Sequence, residues 1–434
     1  MKVIFSTPDW TISGVNTFHL NLARALQKSG HEPVLMMARM RDPGTPELPL
    51  PTDIPVEVLD FDKASYFSRW YRVIGHLNSL GPCLYIPGYD FENSCVVSAL
   101  DNRVGVVGVV HSDDPYHYEH VMRMGPFWNA SIAVSQYLFD KMVSENPLLR
   151  DRSYRINCGV PCAPELGARP AGIRPLRIIY TGRFREEQKR VSDLPKIARA
   201  LEQRGITANW TLVGAGEDEA ALRAGFAELK SGQAVFTGPI PSDAVLAHYG
   251  DHDCFLLPSN FEGLPVSLME AMGHGVIPLA TQIDSGIPEI VYHGVNGYIQ
   301  PVGDVEGFAE RLAEIHRAPD LRETLRRAAY ETIVTSRFSI ESVAERYLEV
   351  FDRVRRDIDT GAWRRPKPLR PGTRTGDITP PPHLQFAPDE VRLSPDTMWR
   401  AAIRRGRSAL DRWRSQLGHA ASGAGSASAG KAIQ

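Results

Sequence analysis

The sequence predicts an α/β protein with two doubly wound parallel-sheet domains in tandem, facing each other across a cleft, followed by a C-terminal extension. Three observations predict it. Short apolar runs alternate with segments of helical hydrophobic period, the pattern of parallel strands joined by crossover helices. A Pro/Gly-rich span at 158–173 interrupts the alternation as an interdomain hinge would, and the pattern then restarts. Beyond about residue 358 the composition turns to Pro, Arg, Thr and Gly, and later to Ala, Gly and Ser. The expected division is 1–165 and 166–336 for the two domains. A Pro/Arg-rich linker at 359–396, a basic amphipathic helix at 397–418 and a disordered tail at 419–434 follow.

The elements follow in order. Residues 3–5 are an apolar strand, and a loop runs through Ser13-Gly14. Val15, Phe18, Leu22 and Leu26 then recur at helical spacing until Gly30 caps the helix, and 34–37 is the next strand. Further strands are expected at 83–86, 104–110 and 131–134. After the break they recur at 177–180, 210–213, 235–236, 254–257 and 276–280, each separated by a helical segment. Ligands of such sheets bind at the strand ends that face the cleft.

Composition excludes several classes. A chain of 434 residues holds two sizeable cores, and a net charge of −2 argues against a nucleic-acid footprint. Five cysteines are too few, and odd in number, for a disulfide framework. Cys158-x3-Cys162 lacks partners at zinc spacing, so reduced thiols are expected. The chain enters its first strand without an apolar leader, and no apolar run approaches the roughly 20 residues that span a bilayer. The expectation is a soluble, cytoplasmic protein.

The chemistry concentrates in residues 262–280. Glu262 and Glu270 stand eight positions apart, with an apolar helical pattern of Val266, Met269 and Met272 between them, and Gly275 stops that helix. With a helix start near Pro265, Glu262 lies in the preceding loop and Glu270 more than a turn inside. Backbone N–H groups near Gly263 and Leu264 can face a phosphate, while the carboxylates accept from hydroxyls. Phosphate and vicinal hydroxyls together describe a sugar nucleotide. Arg183, at the end of a strand, and Lys189, in Gln188-Lys189-Arg190, can clamp a diphosphate; a solvated loop cluster is the competing reading. Gly14 offers backbone approach to a phosphate. His111 follows an apolar strand and would point into the cleft, or else serve as a hydrogen-bonded structural residue. Val213-Gly214-Ala215-Gly216 lacks the third glycine of a dinucleotide fingerprint. Asp251-His252-Asp253 and Asp113-Asp114 look like cation ligands, but the first reads as a helix-to-strand loop and the second has no third ligand at a suitable spacing.

These segments carry a resemblance. The run from Asn260-Phe261-Glu262-Gly263-Leu264-Pro265 to Glu270-Ala271-Met272, the later Ser285-Gly286-Ile287-Pro288-Glu289, and Tyr180-Thr181-Gly182-Arg183 with Gln188-Lys189-Arg190 resemble family 4 of the nucleotide-sugar glycosyltransferases. The resemblance covers about residues 1–350, specifically in the second domain and loosely in the first. It implies a GT-B fold of two Rossmann-like domains and retaining transfer from a nucleotide-diphospho-sugar, without a metal or other cofactor. It also implies site residues: Arg183 and Lys189 on the diphosphate, Glu270 on the ribose, and Glu262 on the donor sugar. Gly14 would lie at the phosphates and His111 at the reaction centre. The acceptor would be a saccharide or a lipid-linked glycan of the cell envelope or an exopolysaccharide. The family's helix that crosses back to the first domain matches 340–354, giving 337–358 as that element. Departures are Ser13 and Ser285, where the family often has paired glycines, and Gly273, where alanine is usual and helix propensity falls by about 1 kcal/mol at most. A catalytically inactive sugar-nucleotide binding or scaffold protein of the same fold is the alternative, although both carboxylates and both cations are present.

The expected helix at 397–418 carries Trp399, Ile403, Leu410, Trp413 and Leu417 on one stripe, amid Arg400, Arg404, Arg405, Arg407, Arg412 and Arg414. Such a helix suits an anionic membrane surface, here the inner face of the membrane, as a peripheral contact. Packing on the enzyme or on a partner is the competing reading. Deleting the residues after Asp396 should lower co-sedimentation with anionic liposomes; unchanged co-sedimentation would remove the membrane reading.

Overall fold

The computed structural model describes residues 1–366 except 12, 40–48, 61–65, 89–93, 114–120, 122–123 and 336. Asp114, the linker beyond 366, the basic helix at 397–418 and the tail at 419–434 lie outside the described residues. The described part consists of two parallel sheets with helices on their faces.

The first sheet contains β1 (Lys2–Thr7), β2 (Glu32–Arg39), β3 (Val56–Asp60), β4 (Cys83–Ile86), β5 (Val104–Val110), β6 (Ala130–Ala133) and β7 (Ser153–Arg155), in the order β3-β2-β1-β4-β5-β6-β7. Its labelled helices are α1 (Gly14–Lys28), α2 (Tyr66–Ser79) and α3 (Gln136–Glu145). β5, Val-Gly-Val-Val-Gly-Val-Val, is buried at every position because helices cover both faces. Gly108 makes room for the buried Trp128, whose ring would lie 2.2 Å from an added Cβ. Ser13 Oγ caps α1 by accepting from Val15 N at 3.3 Å.

The second sheet contains β8 (Leu176–Thr181), β9 (Ala208–Val213), β10 (Ala234–Gly238), β11 (Cys254–Leu257), β12 (Ile277–Thr281) and β13 (Tyr298–Gln300), in the order β10-β9-β8-β11-β12-β13. Its helices are α4 (Glu186–Lys189), α5 (Asp193–Gln203), α6 (Glu219–Ala227), α7 (Ser242–Tyr249), α8 (Val266–Gly273), α9 (Val305–Arg317) and α10 (Pro319–Val334). α8 ends as the sequence indicates. Gly275 takes a left-handed φ of 70°, and the amides of Gly275 and Val276 donate to Met272 O and Ala271 O at 2.8 and 2.9 Å. Gly273 also has a packing reason, since a Cβ there would lie 3.2 Å from Cys162 Sγ in the connector. In both sheets the strand order reverses beside the first strand, which opens a crevice at the C-terminal strand ends.

The chain passes between the domains twice, and the two passages run side by side. Val160 bridges Ser339, donating to Phe338 O and accepting from Ile340 N, both at 3.1 Å. α11 (Ile340–Thr360) then packs on α1 and β5 of the first domain. It stops at Gly361, φ 67°. Four residues later Arg365 plugs into the first domain. Its guanidinium donates to the carbonyls of Phe127, Leu100, Asp101 and Val104 at 2.8–3.2 Å. Burial lowers its pKa to about 10, so it remains charged at neutral pH.

One apolar core fills the first domain and continues across the boundary through Leu264, Met269, Met272 and Ile287 of the second. A separate core lies under the α5, α6 and α9 side of the second sheet. Among the described residues no helix is long and apolar enough to cross a membrane.

Candidate active site

Every candidate residue stands on a segment that leaves the C-terminal end of a strand. Gly14 opens α1 after β1, and His111 follows β5. Arg183 and Lys189 follow β8, while Glu262, Gly263 and Leu264 link β11 to α8, which carries Glu270. The fold therefore gathers residues far apart in sequence on the two walls of one crevice.

The walls touch at the 262–264 turn. A Cβ on Gly263 would fall 1.9 Å from His111 O and 2.7 Å from Ser112 Cα, so only glycine fits without moving backbone. Gly286 N donates to Gly263 O at 2.5 Å, and a Cβ on Gly286 would lie 2.7 Å from Leu264 and 3.0 Å from Ser135 of the first domain. Glu289 seals the same seam. Its Oε1 accepts from Gln136 N at 2.6 Å, placing a carboxylate of one domain at the N-terminus of α3 in the other. Asn157 and Arg337 donate to its other oxygen at 3.3 and 3.1 Å.

Lys189 Nζ and Glu262 Oε1 form an ion pair at 2.5 Å, with side chains 13% and 7% exposed. α4 is a single turn, ended directly after Lys189 by Arg190 in the left-handed region (φ 46°), the one non-glycine residue with positive φ among those described. Arg190 is held there by Asp193 at 2.8 Å. Asn260 ties α4 to the carboxylate turn, donating to Gln188 O and Glu187 O, both at 2.8 Å. Taking each charge out of water costs several kcal/mol, so the pair holds together because losing one partner would strand the other, at about 3–5 kcal/mol. Arg183 is exposed and donates to Gln188 Oε1 at 3.0 Å.

Glu270 is buried, 4% exposed. Burial pushes its carboxyl up to about 8; the neighbouring Asn21 amide opposes the shift and the Asp243 carboxylate adds to it. The group is thus protonated at neutral pH. Glu270 Oε1 and Asn21 Nδ2 approach each other, but neither has a hydrogen-bond partner at ordinary length. His111 is buried, its ring edge-on to Phe18 and His19 at 5.9 and 5.8 Å, so it packs on α1 at the crevice wall.

The acidic motifs set aside in the sequence have structural partners. Asp253 accepts from Arg174 at 2.6 and 2.8 Å and from Arg177 N at 2.9 Å, and His252 bonds Thr211 Oγ1 at 2.8 Å and His248 O at 2.6 Å. Asp113 binds Lys141 at 2.6 Å and Tyr137 at 3.1 Å. Among the described residues no group of three or more His, Cys, Asp or Glu side chains is placed to hold a metal ion. Sequence reasoning missed Asn21, Arg24 and the role of Glu289. The signal for the first two was a polar stripe, Gly14-Asn21-Arg24, at helical spacing on an otherwise buried helix.

Comparison with known proteins agrees with this architecture. Residues 175–318, within the second domain, match the family described as "Glycosyl transferases group 1". The chain is similar to the amylovoran biosynthesis glycosyltransferase AmsK of Erwinia amylovora, 34% identical over 157 residues, 35% of this chain and 38% of that one. It is also similar to the putative colanic acid biosynthesis glycosyltransferase WcaL of Salmonella typhimurium, 36% identical over 150 residues, 33% of this chain and 36% of that one. The chain thus spans well under half the length of the relatives it matches. The structure of a point mutant of S. aureus TarM, solved with Fondaparinux, alpha-GlcNAc-glycerol and UDP, superposes with a TM-score of 0.65 at 10% identity, covering 81% of this chain and 99% of TarM. The fold is GT-B, two Rossmann-like domains face to face.

The raised carboxyl sets a pH dependence. Over the range between its ordinary value and about 8, folded Glu270 holds a proton that the unfolded chain releases, so its contribution to stability is present at low pH and lost as pH rises through about 8. Glu270→Gln removes this dependence. In urea titrations the variant should gain stability relative to wild type between about pH 5 and about pH 9; a difference that does not change with pH would refute the buried, neutral carboxyl.

Proposed function

We propose that the chain is a retaining, metal-independent glycosyltransferase of the family-4 type. It moves a hexose from a nucleotide-diphospho-sugar to a saccharide or lipid-linked acceptor in cell-envelope or exopolysaccharide synthesis. One observation carries this reading: the Gly263 contact brings the Lys189–Glu262 pair of the second domain against the His111 segment of the first. The names of the relatives, AmsK for amylovoran and WcaL for colanic acid, support the glycan class. UDP in the TarM structure supports a nucleotide as a ligand of this fold. Both cations, Arg183 and Lys189, and both carboxyl residues, Glu262 and Glu270, are present, which disfavours an inactive scaffold.

The chemistry follows from the pairing. An arriving diphosphate takes over Lys189 and engages the forked donors of Arg183, which frees Glu262 to accept from the sugar's hydroxyls. The C1–O bond to phosphate then breaks, and negative charge grows on the leaving oxygen. Two positioned cations stabilise that charge more than the ground state. The acceptor oxygen bonds to C1 from the face the phosphate leaves, and its proton passes to the departing phosphate oxygen, which gives retention. Gly14 admits the phosphates to the α1 N-terminus, Gly263 and Leu264 supply amides beside them, and His111 borders the reacting carbon. The protein works in the cytoplasm, with the basic, tryptophan-bearing sequence at 397–418 directed to the inner face of the membrane near a lipid-linked acceptor.

Nucleotide release from a panel of sugar nucleotides, with and without acceptor glycans, tests the activity. Arg183→Ala and Lys189→Ala should each lower kcat about a hundredfold or more. Stability should fall mainly in the Lys189 variant, which leaves Glu262 buried and alone. Wild-type turnover in either variant would contradict the clamp.

A further inference from the structure

Helix α1 presents Gly14, Asn21 and Arg24 on one face, and each meets the second domain. Gly14 approaches Val266 at ordinary contact distance. Arg24 binds Asp243 of α7 through Nη1 at 2.7 Å and Nη2 at 3.0 Å, and Asp53 of its own domain at 2.6 and 3.2 Å, so it is gripped from both sides. Between them Asn21 lies beside Glu270, and both are nine-tenths or more buried, at 5% and 4% exposure.

The polar atoms of this couple are complementary and face each other without closing to a full hydrogen bond. Asn21 Nδ2 is a donor and Glu270 Oε1 an acceptor; the amide lies near enough to favour the ionised carboxyl, yet neither atom has a hydrogen-bond partner at ordinary length. Buried polar groups are nearly always paired, so two unpaired side chains meeting from different domains need a physical account. A hydroxyl supplies one, because it can accept from an amide and donate to a carboxyl oxygen through the same oxygen.

We infer that Asn21 completes the ribose seat, holding a ribose hydroxyl of the nucleotide together with Glu270, so that the nucleotide is bound by both domains. This rests on the sugar-nucleotide reading above. It makes the first domain a determinant of nucleotide specificity as well as the acceptor side. It also couples nucleotide binding to the approach of α1 and α8, with Arg24–Asp243 as the flanking contact. The occupied seat discriminates against a deoxyribose, which leaves Asn21 and Glu270 as they are in the free protein.

The test is calorimetric titration of the full chain with UDP, GDP and ADP. The tightest binder is then compared with its 2′-deoxy and 3′-deoxy counterparts. Wild type should prefer the ribonucleotide about tenfold or more over at least one deoxy form. Asn21→Leu and Asn21→Ala should bind the ribonucleotide about tenfold more weakly and lose most of that preference, while binding the deoxy form as wild type does. The leucine variant should melt no lower than wild type, since it removes an unpaired buried donor; if it fails to fold, the alanine variant decides. An undiminished ribose preference in the folded Asn21 variants overturns the inference. Glu270→Gln then separates the two levels, because a weakened ribonucleotide there leaves the donor site standing without Asn21. Wild type binding none of the three nucleotides overturns the donor site and the inference together.

Discussion

Two Rossmann-like domains make one site only where their backbones can approach to contact, and that approach depends on Gly263. Its missing side chain lets the turn after β11 sit on the His111 carbonyl, 1.9 Å from where a Cβ would be. Gly286 repeats the device against Leu264 and Ser135. Around these close approaches the seam is polar and specific: Glu289 at the start of α3, and Arg24 between Asp53 and Asp243. Beneath it the apolar core is continuous from one domain to the other. Gly263, which reads in sequence as a phosphate contact, is thus also a point at which the domains fit together.

The two carboxylates in the seam are accommodated by different physics. Glu262 remains paired, its charge matched by Lys189 at 2.5 Å. Glu270 has no cation and is instead held neutral by burial. The contrast fits the separate tasks proposed for them: a pair that exchanges partners when a diphosphate arrives, and a carboxyl that shares a ribose hydroxyl with the neighbouring Asn21 amide. Strain serves the first of these. Arg190 adopts a left-handed conformation so that α4 stops with Lys189 aimed at the turn.

Much of the fold was legible because buried parallel strands are continuous apolar runs. Cys83–Ile86, Val104–Val110 and Cys254–Leu257 lie where those runs predict them. The strands that sequence reasoning missed, β3, β7 and β13, lie at the sheet edges and are short or half-exposed. Val58 is 42% exposed and no residue of Ser153–Arg155 is buried, so no run of that kind marks them. The same limit applies to the site. Glu262 with Glu270, and Arg183 with Lys189, could be proposed from sequence because each pair lies close in sequence just after a strand, β11 and β8. Asn21 and Glu289 act across the seam, and their partners, Glu270 and Gln136, are remote in sequence. Only the assembled sheets bring them together.

The central claim is that the reaction needs the backbone contact at Gly263, beyond what the donor residues supply alone. Measuring sugar transfer and nucleoside-diphosphate affinity side by side for Gly263→Ala tests it most directly. The account predicts that kcat for transfer to acceptor collapses while nucleotide affinity falls far less, because the methyl pushes the His111 segment away and leaves Arg183, Lys189 and the second sheet in place. Transfer at the wild-type rate by a folded Gly263→Ala enzyme would contradict it.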